Sequence, residues 1–219
     1  VFMGLTGALL VMDLNRPDRF LYVLLRPQWK SWLVRGAYII TVFGGLVTLK
    51  LIGNIFNFPT GWLWAVGGIF SILGAIYTAF LFAQARARDL WQTPIQSAIH
   101  MLIHAIMAGS VVMMIILPES MGIMTKILLV GTVLNTLMIF KEVLMPHDTP
   151  DTKKAIHLMT KGYYSKYFWF GVTFGNIASA VVLLTFSGNW VLLAGGMALV
   201  GIYLTEYVRI RVPQMIPLS

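Results

Sequence analysis

The sequence predicts an all-α protein, a polytopic transmembrane helix bundle with six full helices and the end of a seventh. Three observations carry that reading. Of the 219 residues, 58% are hydrophobic and only 11% are charged, against about 25% charged in a typical globular chain. The mean hydropathy is +0.80. The apolar residues gather in runs of about 20, the length a helix needs to cross a hydrocarbon core about 30 Å thick.

The chain opens inside an apolar run, Val1-Phe2-Met3. Residues 1–12 therefore read as the last half of a helix, with the N-terminal helices of the bundle missing. A signal peptide would show a basic n-region and a small-residue cleavage site, and neither is present. Six full spans follow, at about 35–54, 61–83, 94–117, 122–142, 167–187 and 189–210. Pro, Gly, Asn or charged residues bound each run, as they bound helix ends. Two connections are long, 13–35 and 141–166. The whole of 1–219 is read as a single transmembrane helical-bundle domain.

The net charge is +8 and the pI about 9.9. In a soluble chain that would suggest nucleic acid. Here the charges form short blocks between apolar runs, a membrane-topology signal, so membrane lipid is the expected partner and nucleic acid is not. Every Lys and Arg except Lys50 and Lys126 falls in alternate connections or helix ends: 16–35, 86–88, 141–166 and Arg209 with Arg211. The positive-inside rule puts those segments, and the C-terminus, in the cytoplasm. Trp29, Trp32, Trp91, Tyr163, Tyr164, Tyr167 and Trp169 would then form one interfacial belt, and Trp62, Trp64 and Trp190 the other. There is no cysteine, so disulfides and thiolate-bound metal are excluded from this chain, as is an iron–sulfur cluster of its own. Gly44-Gly45, Gly67-Gly68 with Gly74, Gly171 with Gly175, and Gly195-Gly196 with Gly201 are expected to let helix backbones approach closely.

At Asp13-Leu-Asn-Arg-Pro-Asp-Arg-Phe20 the sequence becomes specific. This segment resembles the Asp-Leu-Gly-Arg-Pro-x-Arg-Phe loop of the NrfD-like, or polysulfide reductase membrane-subunit, family, with Asn15 where the family usually has Gly. Leu25-Arg-Pro with Ser31-Trp and Arg35-Gly36-Ala37, then Leu81-Phe-Ala-Gln-Ala-Arg-Ala-Arg-Asp-Leu-Trp-Gln92 with His100 after it, and the ending Val212-Pro-Gln-Met-Ile-Pro-Leu-Ser219 are similar to family segments in the same order. The resemblance covers essentially the whole chain. It implies an eight-helix core, or ten helices as in alternative complex III. It also implies a quinone-reactive subunit of a respiratory oxidoreductase in the bacterial cytoplasmic (inner) membrane, not active alone. Such a subunit anchors a periplasmic iron–sulfur partner, often with a molybdopterin or multihaem subunit beyond it. It exchanges electrons with menaquinone or ubiquinone and handles the coupled protons.

That chemistry needs hydrogen-bond partners for two ring oxygens, a proton donor or acceptor, and an apolar slot for the tail. Ionisable residues inside a membrane are costly and are functional candidates by default. His100 and His104 share a helix face, with Gln96 one turn below. Pro94 suits the first turn of that helix, which places His104 about 15 Å in. These histidines are candidates for a proton relay or a quinone ligand, against structural histidines bonded to neighbouring helices. One face cannot supply both axial ligands of a haem, so no haem is expected, and no metal. Asp13, in a knot with Arg16, Asp18 and Arg19, reads as the mouth of a proton path or as a structural ion-pair cluster. Glu142 and Glu206, near inner helix ends, read as relay groups or solvated side chains. Arg86 and Arg88 read as topology anchors. Asn135, Asn176 and Ser110 are explained by interhelical hydrogen bonds. On the outer side, Lys50, Asn54, Asn57, Trp62, Trp64 and Glu119 are expected to line a quinone pocket or a docking surface. Two other functions compete with the redox subunit: a proton-conducting bundle without redox chemistry, and a purely structural anchor.

Overall fold

The structure is a computed structural model that describes residues 2–12, 20–147 and 149–217. The expected loop cluster around Asp13 lies outside the described residues. Among those that are described, all regular structure is helical. Six helices are long and apolar enough to cross a bilayer: Trp32–Phe56, Leu63–Ala83, Pro94–Ile116, Pro118–Leu144, Ser165–Thr185 and Asn189–Gln214. They match the six runs read from the sequence, with ends moved by a few residues. The chain falls into two compact units, Val1–Gln84 and Ala85–Ser219.

In the first unit, α1 (Phe2–Met12) occupies the apolar run at 1–12, and a short α2 (Phe20–Leu25) lies in the long first connection. α3 (Trp32–Phe56) and α4 (Leu63–Ala83) pack as an antiparallel pair. α3 has 25 residues, about 38 Å at 1.5 Å per residue, so it exceeds the hydrocarbon thickness. It stops at Asn57, whose φ of 55° is left-handed and whose N–H caps Gly53, a conformation Asn tolerates better than most residues. At the other end of the pair, the Gln84 side chain ties off the backbone. Its Oε1 accepts from Trp32 N at 2.8 Å and its Nε2 donates to Lys30 O at 3.0 Å. Trp32 stacks on Phe80, with centroids 4.5 Å apart, and Gly36 takes the Tyr77 ring against its backbone.

The second unit holds α5 (Pro94–Ile116), α6 (Met121–Leu144), α7 (Pro150–Thr160), α8 (Ser165–Phe170), a π-helical segment Gly171–Ala178, α9 (Ser179–Thr185) and α10 (Asn189–Gln214). The segment from Ser165 to Thr185 is one continuous span with the π turns in its middle. The connection 141–166, read as a loop, contains α7. Thr149 caps it by accepting from Thr152 N, Pro150 starts it, and Ala155, Ile156 and Met159 turn inward. Too short and too polar to cross a membrane, α7 lays an apolar face on the bundle end instead.

Two apolar clusters hold this unit. One joins Ile139, Ala155, Met159, Phe168, Val172, Val208 and Val212. The other joins Met107, Val111, Met114, Leu128, Leu183 and Ala194. Of the glycines expected at close contacts, Gly171 and Gly175 do meet Gly201, and Gly195 meets Val111. Gly44, Gly45, Gly67, Gly68 and Gly196 have open space above them instead, and Gly67 and Gly68 line an open groove between α3 and α4. The Gly175–Gly201 contact is backbone on backbone, with no flexible side chain to give way. Gly201→Val is therefore expected to cost about 1–3 kcal/mol or more by overpacking, read as a lower thermal midpoint of the protein in detergent, whereas Gly67→Val in the open groove should leave the midpoint unchanged.

Candidate functional site

The second unit carries a connected set of buried polar side chains that runs from the middle of its helices toward the end where Ser97, Glu142 and Arg209 lie. α5 supplies Ser97, His100 and His104; α6 supplies Asn135 and Glu142; the π segment supplies Asn176; α10 supplies Glu206 and Arg209. All are buried except Glu206, which keeps 21% side-chain exposure.

Arg209 is the hub. Its Nε donates to Glu142 Oε1 at 3.1 Å, Nη2 to Ser97 Oγ at 3.0 Å and Nη1 to His100 Nδ1 at 3.0 Å. Nη1 also lies 3.6 Å from Glu206 Oε1. Asn135 is the second junction. Its Oδ1 is 2.6 Å from His100 Nε2 and 2.8 Å from His104 Nε2, and its Nδ2 donates to Asn176 Oδ1 at 2.8 Å. The imidazole centroids are 4.4 Å apart, as the i, i+4 spacing requires. His104 Nδ1 faces Glu206 Oε1 at 3.5 Å.

The π segment explains how Asn176 reaches this set. π turns are rare, and where they occur they are frequent at functional sites. Here they fall across Gly171–Ala178, where Gly171 and Gly175 let the backbone lie against Gly201. From the same segment Asn176 accepts from Asn135 on α6.

Beside the network lies a cavity of about 380 Å³, lined by Asp89, Gln92, Gln96, Glu142, His147 and Thr152 among others. Glu142 is shared by the cavity and the network, so its carboxylate links the two. Nearby, Arg88 Nη1 donates to Pro213 O and Ile216 O at 2.8 and 2.7 Å. It pins the end of α10, a more specific job than the topology anchor expected of it.

The structure redistributes several expectations. His100, His104, Glu142 and Glu206 come together around Arg209. Glu142 is not a solvated side chain but one half of a buried ion pair. Gln96 does not join the histidines; it is half-buried on the cavity wall, and Ser97 next to it makes the polar contact instead. Arg209, grouped in the sequence with the cytoplasmic charges, is buried near the end of α10, which runs on to Gln214. Its signal was the pair Glu206 and Arg209, opposite charges three residues apart on one helix face. Asn135 and Asn176 do make an interhelical hydrogen bond, and they also join the histidines to the π segment.

In the first unit, an open groove of about 340 Å³ lies between α3 and α4, with Phe43, Val47, Lys50, Trp64, Gly68 and Ser71 among its walls. Lys50 Nζ sits 5.3 Å from the Trp64 ring centroid and donates to Thr60 Oγ1 at 2.7 Å. Of the outer candidates, only Lys50 and Trp64 line this groove. Asn54 and Trp62 are exposed and outside it, because they fall on other faces of the helix end and turn.

Ligating atoms of His100, His104 and Glu206 lie within 4.8 Å of one another. A cation there would meet the Arg209 guanidinium at once, and both Nε2 atoms are already committed to Asn135. The donor set suits protons better than a metal.

The family model for NrfD, the polysulphide reductase family, matches residues 1–217. The chain belongs to this family. Its members are membrane subunits of reductase complexes, which makes this chain a multi-pass membrane protein that works with partner subunits. No curated protein and no solved structure matches it.

Proposed function

We propose that this chain is the quinone-reactive membrane subunit of a respiratory oxidoreductase, exchanging electrons with a periplasmic iron–sulfur subunit and moving the coupled protons through its second unit. The observation that carries the reading is the buried network on Arg209. Isolated polar groups in a membrane interior cost several kcal/mol each, and apolar side chains would pack these helices without that cost. A linked set of carboxylates, imidazoles and amides fits a subunit that must store or move protons.

The α3–α4 groove is the quinone site in this reading. Its apolar walls suit a ring and an isoprenoid tail, Trp64 offers a stacking face, and Lys50 and Ser71 offer hydrogen bonds to ring oxygens. His104 belongs to the proton side of the chemistry, and Gln96 to the cavity that feeds it. The distribution of Lys and Arg supports a bacterial inner-membrane topology with the C-terminus in the cytoplasm. The groove then opens toward the periplasmic half and the Glu142 cavity toward the cytoplasm. Beyond the iron–sulfur subunit the complex would hold a molybdopterin or multihaem subunit.

Photo-crosslinking of the membrane complex with an azidoquinone tests the site. Label is expected on the α3–α4 segment, between Phe43 and Ser71. Label confined to other subunits, in a complex that still oxidises quinol, would reduce this chain to a proton conduit or an anchor. The buried network by itself also favours a second reading, proton conduction without redox chemistry. Proton flux in liposomes holding the subunit alone would support that reading over the first.

A further inference from the structure

The hydrogen-bond inventory of the network leads beyond a general proton path. A guanidinium has only donors. The Arg209 Nη1 contact at 3.0 Å therefore fixes His100 Nδ1 as an acceptor. A neutral His100 then carries its hydrogen on Nε2 and donates to Asn135 Oδ1 at 2.6 Å. Turning the Asn135 amide round would place an NH2 against that N–H, so its orientation is set as well. His104 Nε2 lies 2.8 Å from the same oxygen, and it too must donate. A neutral His104 is left with a bare Nδ1 lone pair.

That lone pair faces Glu206 Oε1 at 3.5 Å. Glu206 Oε1 is itself buried without a hydrogen-bond partner. Two acceptors oppose each other across a gap that one hydrogen would close. The charge count agrees. The cluster holds one guanidinium, Arg209, against two carboxylates, Glu142 and Glu206, and a buried excess charge in lipid is expensive. One added proton makes the cluster neutral.

We propose that His104 and Glu206 form a single-proton site, one proton shared between His104 Nδ1 and Glu206 Oε1, with the tautomers that create it fixed by Arg209 through His100 and Asn135. The proton rests on the imidazole as imidazolium–carboxylate or on the carboxyl as neutral acid. Only the N–H or O–H bond changes, and no electron moves. The groups facing the pair are His100 on α5, Glu142 on α6 through Arg209, and Arg209 on α10; the π segment offers only uncharged Asn176. The partial exposure of Glu206 keeps the site from being sealed.

This deepens the proton-handling reading of the cluster and does not depend on where quinone binds. The test is pH-difference infrared spectroscopy on the purified membrane complex, with isotope-labelled histidine to mark the ring modes. A shared proton predicts that a buried imidazole band and a buried carboxyl band change together in one step with one midpoint. In Glu206→Gln the carboxyl band is lost and the imidazole midpoint moves by about one pH unit or more, as expected when two sites couple strongly. Should that variant fail to assemble, His104→Gln decides the same point at the carboxyl band, which must move. Bands that titrate independently in the wild-type complex, or an imidazole step unmoved in Glu206→Gln, would overturn the proposal. Photolabelling separates it from the quinone reading. A complex that labels but shows independent bands loses the shared proton and keeps its quinone, and the reverse result does the opposite.

Discussion

Replacing Arg209 with alanine is expected to destabilise the second unit by about 3–5 kcal/mol, the usual cost of removing one partner from a buried ion pair. The residue is 7% exposed and its guanidinium bonds Glu142, Ser97 and His100 while facing Glu206. Alanine leaves two carboxylates in one layer of the bundle, a hydroxyl without its donor, and a void the length of an arginine. The measurement is the intrinsic-fluorescence melt of the variant in detergent against the wild type. A partner variant separates charge from packing. Arg209→Met with Glu142→Gln removes the pair together, and replacing a buried pair by neutral groups of similar size is often close to neutral in stability. The double variant is therefore expected to recover much of the lost stability while remaining inactive. A single Arg209→Ala protein that melts like the wild type would mean that water reaches the carboxylates and the ion pair does not hold the bundle.

The spans were legible in the sequence because the criterion that finds them is one-dimensional. About 20 apolar residues cross a bilayer whatever their neighbours are, and all six runs reappear as helices. The His100–His104 face was legible for a related reason: spacing along a helix fixes direction without any tertiary information. What the sequence concealed depends on partners distant in the chain. Arg209 looks like a topology charge until its 67-residue separation from Glu142 is closed by folding. Asn176 looks like a solitary polar residue until the π segment brings it to Asn135. Gln96 and Ser97 are neighbours in sequence, and a 100° turn of helix decides which one touches the network. The short α7 was read as loop because hydropathy over a long window dilutes three inward apolar residues in a polar segment. At the outer side, exposure of Asn54 and Trp62 could not be separated from the groove position of Trp64 without knowing how α3 and α4 face each other.

His104→Phe is expected to slow quinol turnover by the assembled complex about 10²–10⁴-fold, the usual range for loss of a positioned proton acceptor. Phenylalanine keeps a ring of similar shape in the α5 position but removes the Asn135 bond and the Nδ1 lone pair toward Glu206. The α3–α4 groove holds no part of His104, so azidoquinone labelling between Phe43 and Ser71 should persist in the variant. Slow turnover with intact labelling separates proton transfer from quinone binding. Loss of both together would mean that the variant damages the fold, which the same fluorescence melt would reveal. Unaltered turnover would leave the two histidines as structural residues that bond Asn135, and the protons would have to leave the quinone by groups outside this network. The expected result follows from the geometry: among the described residues, His104 is the imidazole whose free nitrogen faces a carboxylate rather than a guanidinium.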